Sequence, residues 1–188
     1  MFQTRTISNQ LTFFQKLRSF DFTLLFCIFI IGIISCYSMY STDGGELLYH
    51  SKSHIIRFLV FFVMMIVLSF LNIKFWHSTG YFFYIIVLGF LVWASFYGVT
   101  ASGSQRWISL YFINLQPSEL MKIAIIVCFA KYYHRTHVSD VNSFKNLLLP
   151  IAILILPIVL VVSQPDLGTS ILIALSGLVV LWLAGLNI

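Results

Sequence analysis

Chemistry in this chain is confined to a few polar residues set between long apolar runs. The densest group is GSQRWISLYFINLQPSE, residues 103–119, with Lys122 just beyond it. Gly103 permits a tight turn. Arg106 is an ionic hook beside the amphipathic ring of Trp107. Gln116, Pro117 and Ser118 open an apolar run, and Pro117 suits a first helical turn, where its missing N–H costs nothing. Glu119 then falls in that first turn, where the helix dipole favours a negative charge. Lys122 follows at i, i+3 spacing on the same helix face, so the two charges can neutralise each other. Ionisable residues cost ~2.5–3.5 kcal/mol each at the centre of a membrane helix and less near its rim. Such a pair either locks its helix against neighbours or contacts a substrate, and both readings stand.

A second polar group, VSQPDLGTS, spans residues 162–170 and includes Gln164, Pro165, Asp166, Leu167 and Gly168. Pro165 and Gly168 mark it as a tight turn between apolar runs. Asp166 either caps the helix that follows, through N–H groups two or three residues on, or lines a polar cavity with Arg106 and Glu119. A third stretch, STDGGELLYHSKSH, reads as a polar, flexible connection without chemistry. His134 and His137 share i, i+3 spacing but have no nearby Cys or acidic ligand, so a solvated helix end is expected rather than a metal site. Cys27, Cys36 and Cys128 lie in apolar runs and suggest neither a disulfide framework nor a thiol metal site. No cofactor is identifiable, and nothing in the sequence indicates a divalent cation.

The elements that must position these residues are membrane helices. Of the 188 residues, 60% are hydrophobic and 9% charged, against roughly 25% charged in a soluble domain. Such a chain needs a bilayer as its solvent, so membrane lipids are its surroundings. Six segments approach the ~20 apolar residues of a span: 22–40, 55–73, 81–100, 117–133, 147–163 and 169–186. The expected fold is all-α, a polytopic helical bundle over residues 22–188, preceded by a cytoplasmic segment, 1–21. The first run is too long for a cleaved signal and lacks a small-x-small cleavage site, so it reads as a retained span. Short loops and no sheet are expected, because the runs are too long and too continuously apolar for alternating barrel strands. Arg57, near one end of the second run, can extend its side chain to the interface. On the last run Ser170, Ala174, Gly177 and Ala184 form a small-residue face for close helix packing.

The formal charge of +5 does not imply nucleic-acid binding; it matters through its placement. Arg5, Lys16, Arg18, Lys74, Lys131, Arg135 and Lys145 fall on one side of the alternating spans, and Lys52 and Arg106 on the other. The excess places both termini in the cytoplasm and the two motif-bearing groups outside it. Trp76 and Trp182 then lie near the inner interface and Trp107 near the outer one.

Taken together, GSQRWI, QPSELMK and QPDLGTS, one helix pair apart, resemble the SEDS family, the shape, elongation, division and sporulation proteins. The resemblance covers nearly the whole chain from the first span. It implies a peptidoglycan glycosyltransferase of the bacterial inner membrane that polymerises lipid II, the undecaprenyl-pyrophosphate-linked disaccharide-peptide, beside a class B penicillin-binding transpeptidase. Arg106, Trp107, Gln116, Pro117, Ser118, Glu119 and Lys122 match one family motif, and Gln164, Pro165, Asp166, Leu167 and Gly168 the other. Family members are about twice as long, with ten spans, and their presumed catalytic Asp lies in an outer loop after the seventh. This chain reaches WLAGLNI just after the sixth, so it is expected to be an N-terminal half that lacks that residue and is inactive alone. The alternatives are a flippase for the lipid-linked precursor and a non-catalytic scaffold of the wall-building machinery.

Overall fold

The computed structural model describes residues 17–18, 20–101, 104–110, 113–134, 136–137 and 140–186. Gly103, Arg5, Lys16 and Arg135 lie outside them. Six helices run through the described residues: α1 (Phe22–Thr42), α2 (Tyr49–Ser69), α3 (Ile73–Tyr97), α4 (Pro117–Tyr133), α5 (Phe144–Ser163) and α6 (Leu167–Leu183). Between α3 and α4 lie three strands, β1 (Val99–Ala101), β2 (Ser104–Leu110) and β3 (Ile113–Leu115). The chain divides into two units, Met1–Leu71 and Asn72–Ile188. Helices α1, α2, α3 and α5 are long and apolar enough to cross a membrane, and α6 is a shorter apolar helix. Helices α4 and α6 have 17 residues each, or about 25 Å at 1.5 Å per residue, at the short end of what a ~30 Å hydrocarbon core accepts.

The first unit is a helical hairpin. Asp21 caps α1, its Oδ1 accepting from the Leu24 N–H at 3.1 Å. Gly44 and Gly45 turn the chain with φ of 77° and 84°, a region open to glycine at no steric cost. Helix α2 begins at Tyr49, six residues earlier than the apolar pattern predicts, so the connection expected to be flexible is largely helical. Its cap is borrowed. Leu48, at the N-cap, has no side-chain acceptor, and Asp43 Oδ2 instead accepts from both the backbone N–H (2.8 Å) and the hydroxyl of Ser51. A carboxylate at a helix N-terminus satisfies orphan donors and complements the dipole. These Ser51 bonds hold the Asp43 carboxyl below its ordinary range. Arg57 Nε donates to the Ser53 carbonyl one turn back, so its side chain runs along the helix toward the start of α2. The two helices approach closely where the Phe58 ring lies over Gly32, leaving no room for a Cβ.

The second unit holds the core. α4 packs between α3 and α6, and α6 packs on α5. The buried positions repeat every three or four residues: Tyr84, Val87, Leu91 and Ala94 on α3; Met121, Ala124, Ile125, Cys128 and Phe129 on α4; Leu154 and Val161 on α5; Ile173, Gly177 and Leu181 on α6. That is the spacing of a single helix stripe. The opposite faces carry exposed Phe82, Phe96, Val159, Leu172 and Leu183, as expected where lipid is the solvent. The small-residue face on α6 is realised at Ser170 and Gly177, which are buried, while Ala174 is half-buried and Ala184 is the C-cap. A Cβ on Gly177 would come within 2.5 Å of Leu154 Cδ1.

Helix α5 carries Pro150 and Pro157 in its interior. A helical proline has no N–H for the carbonyl four residues back. The carbonyls so deprived are those of Asn146 and Ile153, and each has a tyrosine. Tyr84 Oη donates to Ile153 O at 2.8 Å, and Tyr132 Oη donates to Asn146 O at 3.0 Å. Backbone groups inside a bilayer have no water to turn to, so these bonds replace the missing ladder rungs from α3 and α4.

The sheet corrects the all-α expectation. β1 pairs antiparallel with β2 (Val99↔Trp107, Thr100↔Gln105, Ala101↔Ser104), and β2 with β3 (Ile108↔Leu115, Ser109↔Asn114, Leu110↔Ile113). Barrel-strand reasoning addresses strands that span a membrane, whereas these lie in a connection between helices, which is also longer than the short loops expected. The helix bounds shift for a related reason. α3 starts at Ile73 rather than 81, capped by Asn72, whose Oδ1 accepts from the Lys74 N–H at 3.1 Å. Lys74 and Trp76 therefore stand on the first turns of α3, not in a loop, and α3 ends at Tyr97 rather than reaching Thr100.

Candidate functional site

The motif residues converge where α3 ends, α4 begins and α5 turns into α6. Asp166 is the hub. It is the N-cap of α6, with Oδ1 accepting from the Thr169 N–H at 3.2 Å. Its Oδ2 accepts from Arg106 Nη1 at 3.0 Å and from Gln116 Nε2 at 3.3 Å. The two readings of Asp166 are therefore compatible, since one carboxylate oxygen caps the helix and the other faces the polar group. Asp166 is 7% exposed. Burial pushes its carboxyl upward, but hydrogen bonds from Thr169 and Arg106 and the Arg106 charge outweigh that and leave it below its ordinary value of 3.8.

Each partner reaches Asp166 for a local reason. Side chains alternate along a strand, so Arg106 and Ile108 leave β2 on one face, and β2 packs on α3 and touches α4. Arg106 Nε is buried without a hydrogen-bond partner among the described residues. Gln116 is the N-cap of α4 but makes no side-chain cap bond. Its amide is directed to Asp166 instead, and Pro117 at the first helical position leaves one fewer N–H to satisfy. Ser118, on the same turn, is buried.

Gln164 has a separate role. Its buried side chain donates to Ser95 Oγ at 2.6 Å and to the Leu91 carbonyl at 3.3 Å, on α3. Ser95 itself donates to Leu91 O at 3.0 Å. Ser95 and Thr169 were not among the sequence-derived candidates; a hydroxyl near the end of the apolar run 80–97 is the signal that would have found Ser95. Pro165 is exposed, Leu167 is 66% exposed, and Gly168 lies in the first turn of α6, where a Cβ would meet open space. Gly168 thus belongs to the helix rather than to the turn, and neither strain nor crowding demands a glycine there.

Glu119 does not join the hub. It pairs with Lys122, Nζ to Oε2 2.9 Å, with side chains 54% and 23% exposed. Trp107 is half-buried, opposite Val99 in the sheet. Both cations of this end that lie within reach of a carboxylate are thus compensated, Arg106 by Asp166 and Lys122 by Glu119. Away from it, the His134 ring meets the His77 ring edge-on at 4.8 Å. No group of three or more His, Cys, Asp or Glu fit to hold a metal occurs among the described residues.

Known proteins resemble this chain in both sequence and fold. The model of the FtsW/RodA/SpoVE cell cycle proteins matches residues 18–188. The chain is 33% identical over 179 residues to the peptidoglycan glycosyltransferase MrdB of Escherichia coli, covering 95% of this chain and 47% of that protein. It is 28% identical over 180 residues to a probable peptidoglycan glycosyltransferase FtsW of Buchnera aphidicola, covering 92% and 47%. The chain therefore spans about half the length of the curated relatives it matches. Among solved structures, the rod shape determining protein RodA of Thermus thermophilus superposes with a TM-score of 0.76 at 21% identity, over 90% of this chain and 55% of that one. A chain of a peptidoglycan synthase complex, in which polymerization and crosslinking are coordinated, gives the same TM-score over 89% and 48%. These two establish the likeness of fold, and the sequence matches establish more: the chain belongs to the FtsW/RodA/SpoVE family of cell cycle proteins.

Proposed function

We propose that this chain forms the N-terminal half of a peptidoglycan glycosyltransferase of the bacterial cytoplasmic membrane, which polymerises lipid II for cell shape and division. Its partners are lipid II and a class B penicillin-binding transpeptidase. All six helices span, both termini face the cytoplasm, and the sheet faces out. The observation that carries this reading is the meeting on Asp166 of two polar motifs: Gln116 and Arg106 from one, Asp166 from the other. The chemistry fits a pyrophosphate leaving group, which gathers negative charge as its bond to the sugar breaks and needs fixed donors placed in advance. Arg106 is held by Asp166 through Nη1, and its side chain stays 24% exposed. The guanidinium is thereby oriented with part of its edge still open to an incoming oxyanion. Glu119 and Lys122, paired and more exposed, act at the rim.

The test supplies a purified full-length protein carrying this N-terminal half with labelled lipid II, with and without the transpeptidase. Glycan ladders that fade in Arg106→Ala and Asp166→Ala support the proposal. Translocation into vesicles without polymer would instead indicate a flippase, and retention of the transpeptidase with neither activity a scaffold. The orientation has its own test in a cysteine-free background. An impermeant maleimide added to intact cells should label Ser109→Cys, on exposed β2, and leave Lys145→Cys untouched.

A further inference from the structure

The end of the second unit away from the sheet, where α3 starts and α4 stops, holds a cavity of about 640 Å³. Its rim is basic: Lys74 and His77 come from α3, and Lys131 and His134 from α4. Among the described residues no carboxylate lines it, and neither lysine is within ion-pair distance of one. Lys131 is held in place, its Nζ donating to the Ser78 carbonyl at 2.5 Å and lying 4.7 Å over the Tyr81 ring. Trp76 completes the rim, an amphipathic ring of the kind that settles at headgroup level. Below the rim the wall turns apolar, with Ile126, Val127 and Ala130 on one side of α4. Ile126 is 42% exposed, so this wall opens sideways.

A positive rim above a laterally open apolar wall, at the ends of membrane helices, complements a molecule with a negative head and a hydrocarbon tail. Basic pockets between helix ends bind anionic lipid headgroups for this reason. We propose that this cavity seats an anionic phospholipid of the leaflet opposite the sheet, its phosphate against Lys74 and Lys131 and an acyl chain along Ile126, Val127 and Ala130. The seated lipid bridges the first turns of α3 to the last turn of α4, the helix pair whose far ends carry the sheet.

The test measures lipid retained by the whole protein in native mass spectrometry, after exchange into equal parts of phosphatidylglycerol and phosphatidylcholine with matched chains. Wild type should prefer phosphatidylglycerol, with about fivefold of that preference owed to each lysine. Lys74→Gln, an exposed first-turn change, should lower the preference about fivefold. Ala130→Phe keeps every charge but fills the exposed wall, and should abolish the preference while circular dichroism stays unchanged. Equal retention of the two lipids by wild type overturns the proposal. So does undiminished preference in Ala130→Phe, which would mean diffuse attraction without a seat. Displacement of phosphatidylglycerol by millimolar inorganic phosphate would assign the rim to a free anion and likewise overturn it.

Discussion

Removing the Tyr84 hydroxyl should destabilise the second unit, and by an amount that depends on a proline in another helix. Tyr84→Phe deletes the 2.8 Å bond to Ile153 O. A neutral hydrogen bond contributes about 0.5–1.5 kcal/mol net, and bonds between membrane helices average ~0.6 and reach ~1.7 kcal/mol. Pro157 decides where in that range this one falls. Its missing N–H leaves Ile153 O without its intrahelical donor, so the deletion strands a buried acceptor beside a side chain only 7% exposed. The expected cost is therefore about 1.5 kcal/mol. In a Pro157→Ala background the helix supplies the N–H, and the same deletion should cost less than about 0.5 kcal/mol. The difference, about 1 kcal/mol of coupling, is what a double-mutant cycle isolates. The four proteins would be unfolded by denaturing detergent in mixed micelles and followed by circular dichroism. Equal costs for Tyr84→Phe in both backgrounds would refute the reasoning, because the tyrosine would then be compensating for nothing. Tyr132, Asn146 O and Pro150 form a second instance with the same geometry and should repeat the result.

Asp166 makes folding pH-dependent: its folded carboxyl titrates below 3.8, so its contribution is complete above that value and is lost as pH falls through the folded one. Acid titration should therefore show a shallower loss of stability below pH 3.8 in Asp166→Asn, which keeps a capping oxygen but not the charge. Gly177→Ala presses a methyl to within 2.5 Å of Leu154 Cδ1; a cost of about 1–2 kcal/mol is expected from overpacking, and the same change made in a Leu154→Ala background should cost close to nothing, which thermal melts in detergent read. The Glu119–Lys122 pair is a weaker lever, with Glu119 half exposed. Single neutralisations should cost no more than about 0.5 kcal/mol, and reversing both charges should not restore wild-type stability, because it places Lys in the first turn against the dipole.

The helices and the motif residues were legible because their signals are local. An apolar run of membrane length means a helix whatever surrounds it, and Asp166 before an apolar run reads as a cap from its own neighbours. The sheet was illegible because its strands are short and each gains its bonds from the next. The early start of α2 was hidden for another reason: the cap on its first turn comes from Asp43, eight residues before Ser51.

Sequence by itself determined that this chain needs a bilayer and roughly where its helices run, because composition and periodicity act residue by residue, and its motifs carried the family resemblance. Only the tertiary structure decided what those residues hold. It joined Arg106 and Gln116 to Asp166, left Glu119 at the rim with Lys122, and sent Gln164 to Ser95. It also assigned tyrosines from two other helices to the carbonyls that Pro150 and Pro157 deprive. In a medium without water a backbone carbonyl deprived of its helical donor needs another within reach, and which donor is within reach is a property of packed helices, not of neighbours in the chain.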